Sequence, residues 1–115
     1  MKINNVEFEE LDFTEATFVE KYNNAYKEML KEAEKIDLTN IEPAEGIRQE
    51  CKMIKNFLDN VLGEEASKKI FGEKDSLKEC IKTLEDLKQY KEDQDRYWSE
   101  RVLQFSPERL KKWTF

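Results

Sequence analysis

Histidine is absent from the 115 residues. That removes the Ser-His and Cys-His nucleophiles together with every histidine-ligated zinc site. Cysteine is nearly absent. Cys51 and Cys80 are the only thiols, far apart and each within an apolar helical stripe, so they read as small core hydrophobes rather than as a disulfide. Three glycines and two prolines provide no Pro- or Gly-rich linker, and none of the glycines sits in a G-x-x-x-x-G-K-[ST] phosphate loop. No apolar run approaches the roughly 20 residues that cross a bilayer. The beginning, MKINNVEFEELDF, lacks the apolar stretch of a secretion signal, so the expected location is the cytoplasm. No internal repeat or low-complexity segment is present.

What the chain does have is charge, at 40% of residues against 38% apolar. That balance suits thin helices with one buried stripe each, and the length suits a single domain with one modest core. An aromatic content of 11% argues against disorder throughout. The net charge of −6 disfavours sequence-independent binding to phosphate backbones. Its distribution is uneven. The first twenty residues carry Lys2 against Glu7, Glu9, Glu10, Asp12, Glu15 and Glu20; the last twenty carry Arg96, Arg101, Arg109, Lys111 and Lys112 against Glu100 and Glu108. An acidic front and a basic, aromatic tail fit solvated faces, or head-to-tail association with a charged surface.

Spacing predicts the elements. Residues 2–13 alternate imperfectly around Ile3, Val6, Phe8, Leu11 and Phe13, and Asn4-Asn5 suits a tight turn, giving a short hairpin that needs helices beneath it. Thr14 is the expected cap of a first helix over residues 15–36, with Phe13 stapled onto Phe18. Its stripe is Phe18, Tyr22, Ala25, Met29, Ala33 and Ile36, and its length is about 33 Å. Pro43 opens a second helix, with Ile47, Cys51, Ile54, Leu58 and Val61 as its stripe, widened by Met53, Phe57 and Leu62. So broad an apolar face places this helix at the centre of the core.

Gly63 and Gly72 read as helix stops flanking a two-turn segment that presents Ala66, Ile70 and Phe71. Ser76 and Glu79 have capping-box spacing for the last long helix, which buries Leu77, Ile81, Leu84 and Leu87 beside Cys80. The stretch KQYKEDQDR offers one apolar side chain, Tyr90, so the helix is expected to leave the bundle there and either to project as an arm or to fray. SPER at residues 106–109 is one more helix start. The fold class is therefore mainly α: a bundle of three to four helices with a short N-terminal β-hairpin and a projecting C-terminal helical arm. Residues 1–95 form the helical domain and residues 96–115 the basic-aromatic arm.

No catalytic constellation emerges. EDQD at residues 92–95 lacks the glycine and the later glutamate of a calcium loop. No carboxylate pair is marked for acid-base work either, because the acids fall on polar, water-screened faces. The expectation is a protein that is not an enzyme and carries no metal or cofactor. Tyr97, Trp98, Arg101, Phe105, Arg109, Lys111, Lys112, Trp113 and Phe115 admit two uses, stacking on bases or anchoring on another protein or another copy. The acidity of the rest favours protein over nucleic acid.

The order of KINNVEFEELDF, FLDNVLGEEASKKIFGEKDSLKEC and FSPER resembles the small tail assembly chaperones of long-tailed phages and prophages. The resemblance covers nearly the whole chain. It rests on Phe57, Gly63, Glu64, Lys69, Ile70, Phe71 and Gly72, and on Phe105 through Arg109. The ending LKKWTF is shorter and more aromatic than the basic tails of that family. The resemblance implies a non-enzymatic protein that coats the apolar-striped tape-measure protein and gives way as tail-tube subunits polymerise. Met53, Phe57 and Phe71 would then bind tape-measure helices. Trp98, Phe105, Trp113 and Phe115 would serve self-association or contact with the major tail-tube protein. The alternative is a small nucleic-acid-binding or regulatory accessory protein that uses its tail.

Overall fold

The computed structural model describes residues 1–105, which form a β-hairpin followed by four helices. The strands β1 (Lys2–Ile3) and β2 (Val6–Glu7) are antiparallel, with Ile3 opposite Val6. Asn4 and Asn5 make the turn at φ of 50° and 65°, the left-handed region that asparagine tolerates best among side-chain-bearing residues. Two strands of this length do not stand alone. Ile3 is sunk into the helical core, and Asn4 Nδ2 donates to the Ile70 carbonyl.

Helix α1 spans Ala16–Lys35. Its cap is Glu15, not the expected Thr14. Asp12 captures both the Thr14 hydroxyl and the Thr14 amide (2.9 Å), leaving the Glu15 carboxylate to accept from Thr17 N (3.0 Å) and Phe18 N (2.7 Å). Those bonds hold both carboxyls below their ordinary ionisation range, through Thr14 for Asp12 and through the Phe18 amide first for Glu15. The expected staple forms: Phe13 meets Phe18 edge-on at 5.1 Å and Tyr22 at 5.1 Å.

Helix α2 spans Pro43–Leu62, with Pro43 in its first turn and the Glu42 carboxylate as its cap. It is the central element, in contact with α1, α3 (Ala66–Phe71) and α4 (Leu77–Phe105). Cys51, Ile54, Phe57, Leu58 and Val61 are buried along it. Ile47 is exposed, contrary to the expected stripe, and its neighbour Gly46 is buried instead, close to Leu38 and Ile41.

Gly63 (φ 114°) and Gly72 (φ 64°) end α2 and α3 in conformations that side chains avoid, as their spacing predicts. Between them, Asp59 accepts from Ser67 N at 2.8 Å and from Ser67 Oγ at 3.1 Å, tying α3 to α2. Ser76 caps α4 through Glu79 N (3.3 Å).

Two expectations for α4 need correction. Ile81 is not a core residue; it is 43% exposed, and Thr83 is buried instead, its hydroxyl satisfied by the Glu79 carbonyl. Nor does the helix leave the body at Tyr90. Tyr90 and Gln94 hold the Leu11–Phe13 segment by hydrogen bonds, so the helix departs about one turn later. Over residues 96–105 no side chain is buried, and this is the arm. The expected helix start at residues 106–109, and Trp113 and Phe115, lie outside the described residues.

Candidate functional site: a groove between two helices

Helices α1 and α4 lean on α2 from different sides and leave an open groove of about 470 Å³ between them. Tyr22, Tyr26 and Met29 form its α1 wall, Phe57 its floor, and Ile81, Leu84 and Leu87 its apolar α4 wall. Glu85, Lys88, Lys91 and Glu92 make a rim of mixed sign. An apolar trough with a charged rim is the form that receives an amphipathic helix, and this volume lies in the range of ligand-sized sites.

Aromatic packing shapes the wall. Phe57 sits edge-on to Tyr22 at 5.7 Å and to Tyr26 at 6.2 Å. Burial pushes the Tyr22 phenol above its ordinary ionisation range, helped by the nearby Tyr26 and Asp95, so this hydroxyl stays protonated at neutral pH. Lys91 bonds Asp95 at 2.7 Å and lies over the Phe13 ring at 5.7 Å, so one end of the rim is fixed rather than loose.

The sequence-chosen residues separate. Phe57 is 2% exposed and Phe71 8% exposed; both belong to the core and offer a partner almost no surface. The broad stripe of α2 is covered on three sides by α1, α3 and α4, as its width predicts, and that cover leaves Phe57 and Phe71 little surface for a partner. Met53 is half-buried at the margin of the core, beside Ile36, away from the groove. Trp98 (41%) and Phe105 (87%) are exposed on the arm, where Arg101 stacks on Tyr97 at 3.5 Å and reaches Trp98 at 5.8 Å. Phe57 therefore joins the groove only as its floor, and Trp98 and Phe105 stand outside it.

The residues that sequence reasoning missed are Tyr26 and Ile81, at 45% and 43% exposure on facing walls. Tyr26 follows Tyr22 by one helical turn and precedes Leu30 by another, a second apolar line beside the buried one that the sequence did contain.

Among the described residues no group of three or more cysteines, aspartates and glutamates can hold a metal ion, and no helix is long and apolar enough to cross a membrane. Residues 4–114 match a family described as "Family of unknown function (DUF6673)". No curated protein matches, and neither does any solved structure.

Proposed function

We propose that the chain, which belongs to the DUF6673 family, is a non-enzymatic tail assembly chaperone that shelters apolar helices of a tape-measure protein in the groove between α1 and α4. The observation that carries this reading is the groove itself: two facing walls on which the apolar Tyr26 and Ile81 stand exposed, on a chain in which 40% of residues are charged. A bare amphipathic helix aggregates through its apolar face. Laying that face against Tyr26, Met29, Ile81 and Leu84 removes it from water, and the surrounding Lys and Glu side chains keep the pair in solution. In this reading the resemblance of the sequence to tail assembly chaperones points to the client, and the open groove is what would hold it.

Co-expression with a phage tape-measure protein tests it. Soluble yield of that product is expected to rise with the wild-type chain and to fall back with Ile81→Asp or Tyr26→Asp, both at exposed positions. Leu30→Asp, equally exposed but outside the groove, is expected to retain the effect. No rise with the wild-type chain, or equal loss with all three variants, overturns the reading. The accessory nucleic-acid reading predicts instead a DNA or RNA complex that weakens steeply with salt. It is disfavoured because Arg101 is already stacked on Tyr97, Glu92, Asp93 and Asp95 precede the arm, and Glu100 lies within it.

A further inference from the structure

We propose that two copies of this chain pair antiparallel through α4, the arm of each lying in the α1–α4 groove of the other. Ile81, Leu84, Lys88, Lys91, Asp95, Trp98, Val102 and Phe105 are separated alternately by three and four residues, the spacing of a coiled-coil seam. The first four line the groove. The last three lie on the arm, where Trp98 and Phe105 are exposed. One continuous stripe of α4 thus contains both a trough and a ridge.

The register follows from pairing seam positions in successive layers of two opposed helices. With the two-fold axis level with Asp93, Ile81 faces Phe105 of the second copy, Leu84 faces Val102, Lys88 faces Trp98 and Lys91 faces Asp95. Apolar residues meet apolar ones, a cation meets an aromatic face and a cation meets a carboxylate. Parallel pairing would set Lys88, Lys91 and Asp95 each against its own copy, three like-charge layers in succession. Charge complementarity therefore selects the antiparallel second copy as occupant. Length agrees with it. The groove wall from Ile81 to Glu92 and the arm over residues 96–105 are each about 15 Å long, and they adjoin on either side of the axis. At the axis, Lys91 and Asp95, already bonded at 2.7 Å within one chain, come together with the same pair from the second copy.

The pairing does not depend on the identity of a client. Where the groove shelters tape-measure helices, as proposed above, the arm of the second copy becomes their competitor, and a client would separate the dimer.

Site-directed cross-linking tests the register. Cys51 and Cys80 are fully buried, so added thiols report alone. Under mild oxidation the double variant Ile81→Cys, Phe105→Cys is expected to form interchain disulfides, while neither single variant does, since like positions lie about 36 Å apart along the helix. Sedimentation of the wild-type chain at micromolar concentration is expected to give twice the 13.8 kDa of one chain. Trp98→Asp, at an exposed position, is expected to weaken dimerisation at least about tenfold with helical content unchanged. A monomer at those concentrations, or cross-linking by either single variant, overturns the proposal. A dimer that fails to solubilise the tape measure leaves the pairing standing and removes the chaperone function; a monomer that does solubilise it has the opposite meaning.

Discussion

Gln94 and Phe13, 81 residues apart in sequence, are joined by a 3.0 Å hydrogen bond from the Phe13 amide to Gln94 Oε1. The Gln94 amide group in turn donates to the Leu11 carbonyl and to the Tyr90 hydroxyl. This one side chain closes the N-terminal segment over the far end of the bundle and leaves few polar groups there without a partner. Gln94→Leu is expected to cost about 1–3 kcal/mol, since it strands partly buried backbone groups. Thermal unfolding should fall by roughly 4–8 °C per kcal/mol, and hydrogen exchange at Phe13 should accelerate beyond exchange in α2. Unchanged exchange would refute the clasp.

Phe57 is a core residue in contact with both Tyr22 and Tyr26. Phe57→Ala is expected to destabilise by about 3–5 kcal/mol, and Phe57→Asp to prevent folding. Ile81→Asp is expected to stay within about 0.5 kcal/mol of wild type. Chemical denaturation of the three side by side separates floor from wall.

Gly63 sits at φ 114° and ψ 163°, with open space where a Cβ would lie. Gly63→Ala therefore meets no clash, yet it is expected to lose about 1–3 kcal/mol from backbone conformation alone. A urea midpoint equal to wild type would mean that the α2–α3 corner relaxes freely.

Cys51 and Cys80 are buried against each other. Burial pushes the Cys51 thiol up from the ordinary 9.0, and pushes Cys80 up to about 12, where the adjacent Cys51 adds to the effect. Folding thus keeps protons that unfolded thiols release. The stabilisation is complete below pH 9.0 and is lost as pH rises towards 12. Urea midpoints are expected to decline above pH 9 more steeply for the wild type than for Cys80→Val. Neither thiol should react with an alkylating probe at pH 8 until the chain unfolds.

Much of this fold can be read from spacing. Gly63, Gly72, Pro43 and Ser76 mark helix boundaries through local backbone chemistry, which depends on little beyond near neighbours. The hairpin turn at Asn4-Asn5 is similarly local. Spacing misleads where two neighbours compete. Asp12 takes Thr14 away from the helix end, so the cap falls on Glu15. Ile81 and Thr83 both border the core face of α4, and three-dimensional crowding rather than hydropathy decides which is enclosed. The groove was the least legible feature. An apolar stripe states that a surface will be covered but not how completely, and Phe57 proved to be covered while Tyr26 did not.

Helix α4 is one unbroken rod from Leu77 to Phe105, about 43 Å long, anchored in the body near Cys80 and Leu87 and free of it over its last ten residues. Such a rod is a lever. A push on Phe105 has its fulcrum near Gln94, where Gln94 and Tyr90 together fasten the Leu11–Phe13 segment. Whatever grips the tip therefore also pulls on the latch at the opposite end of the chain.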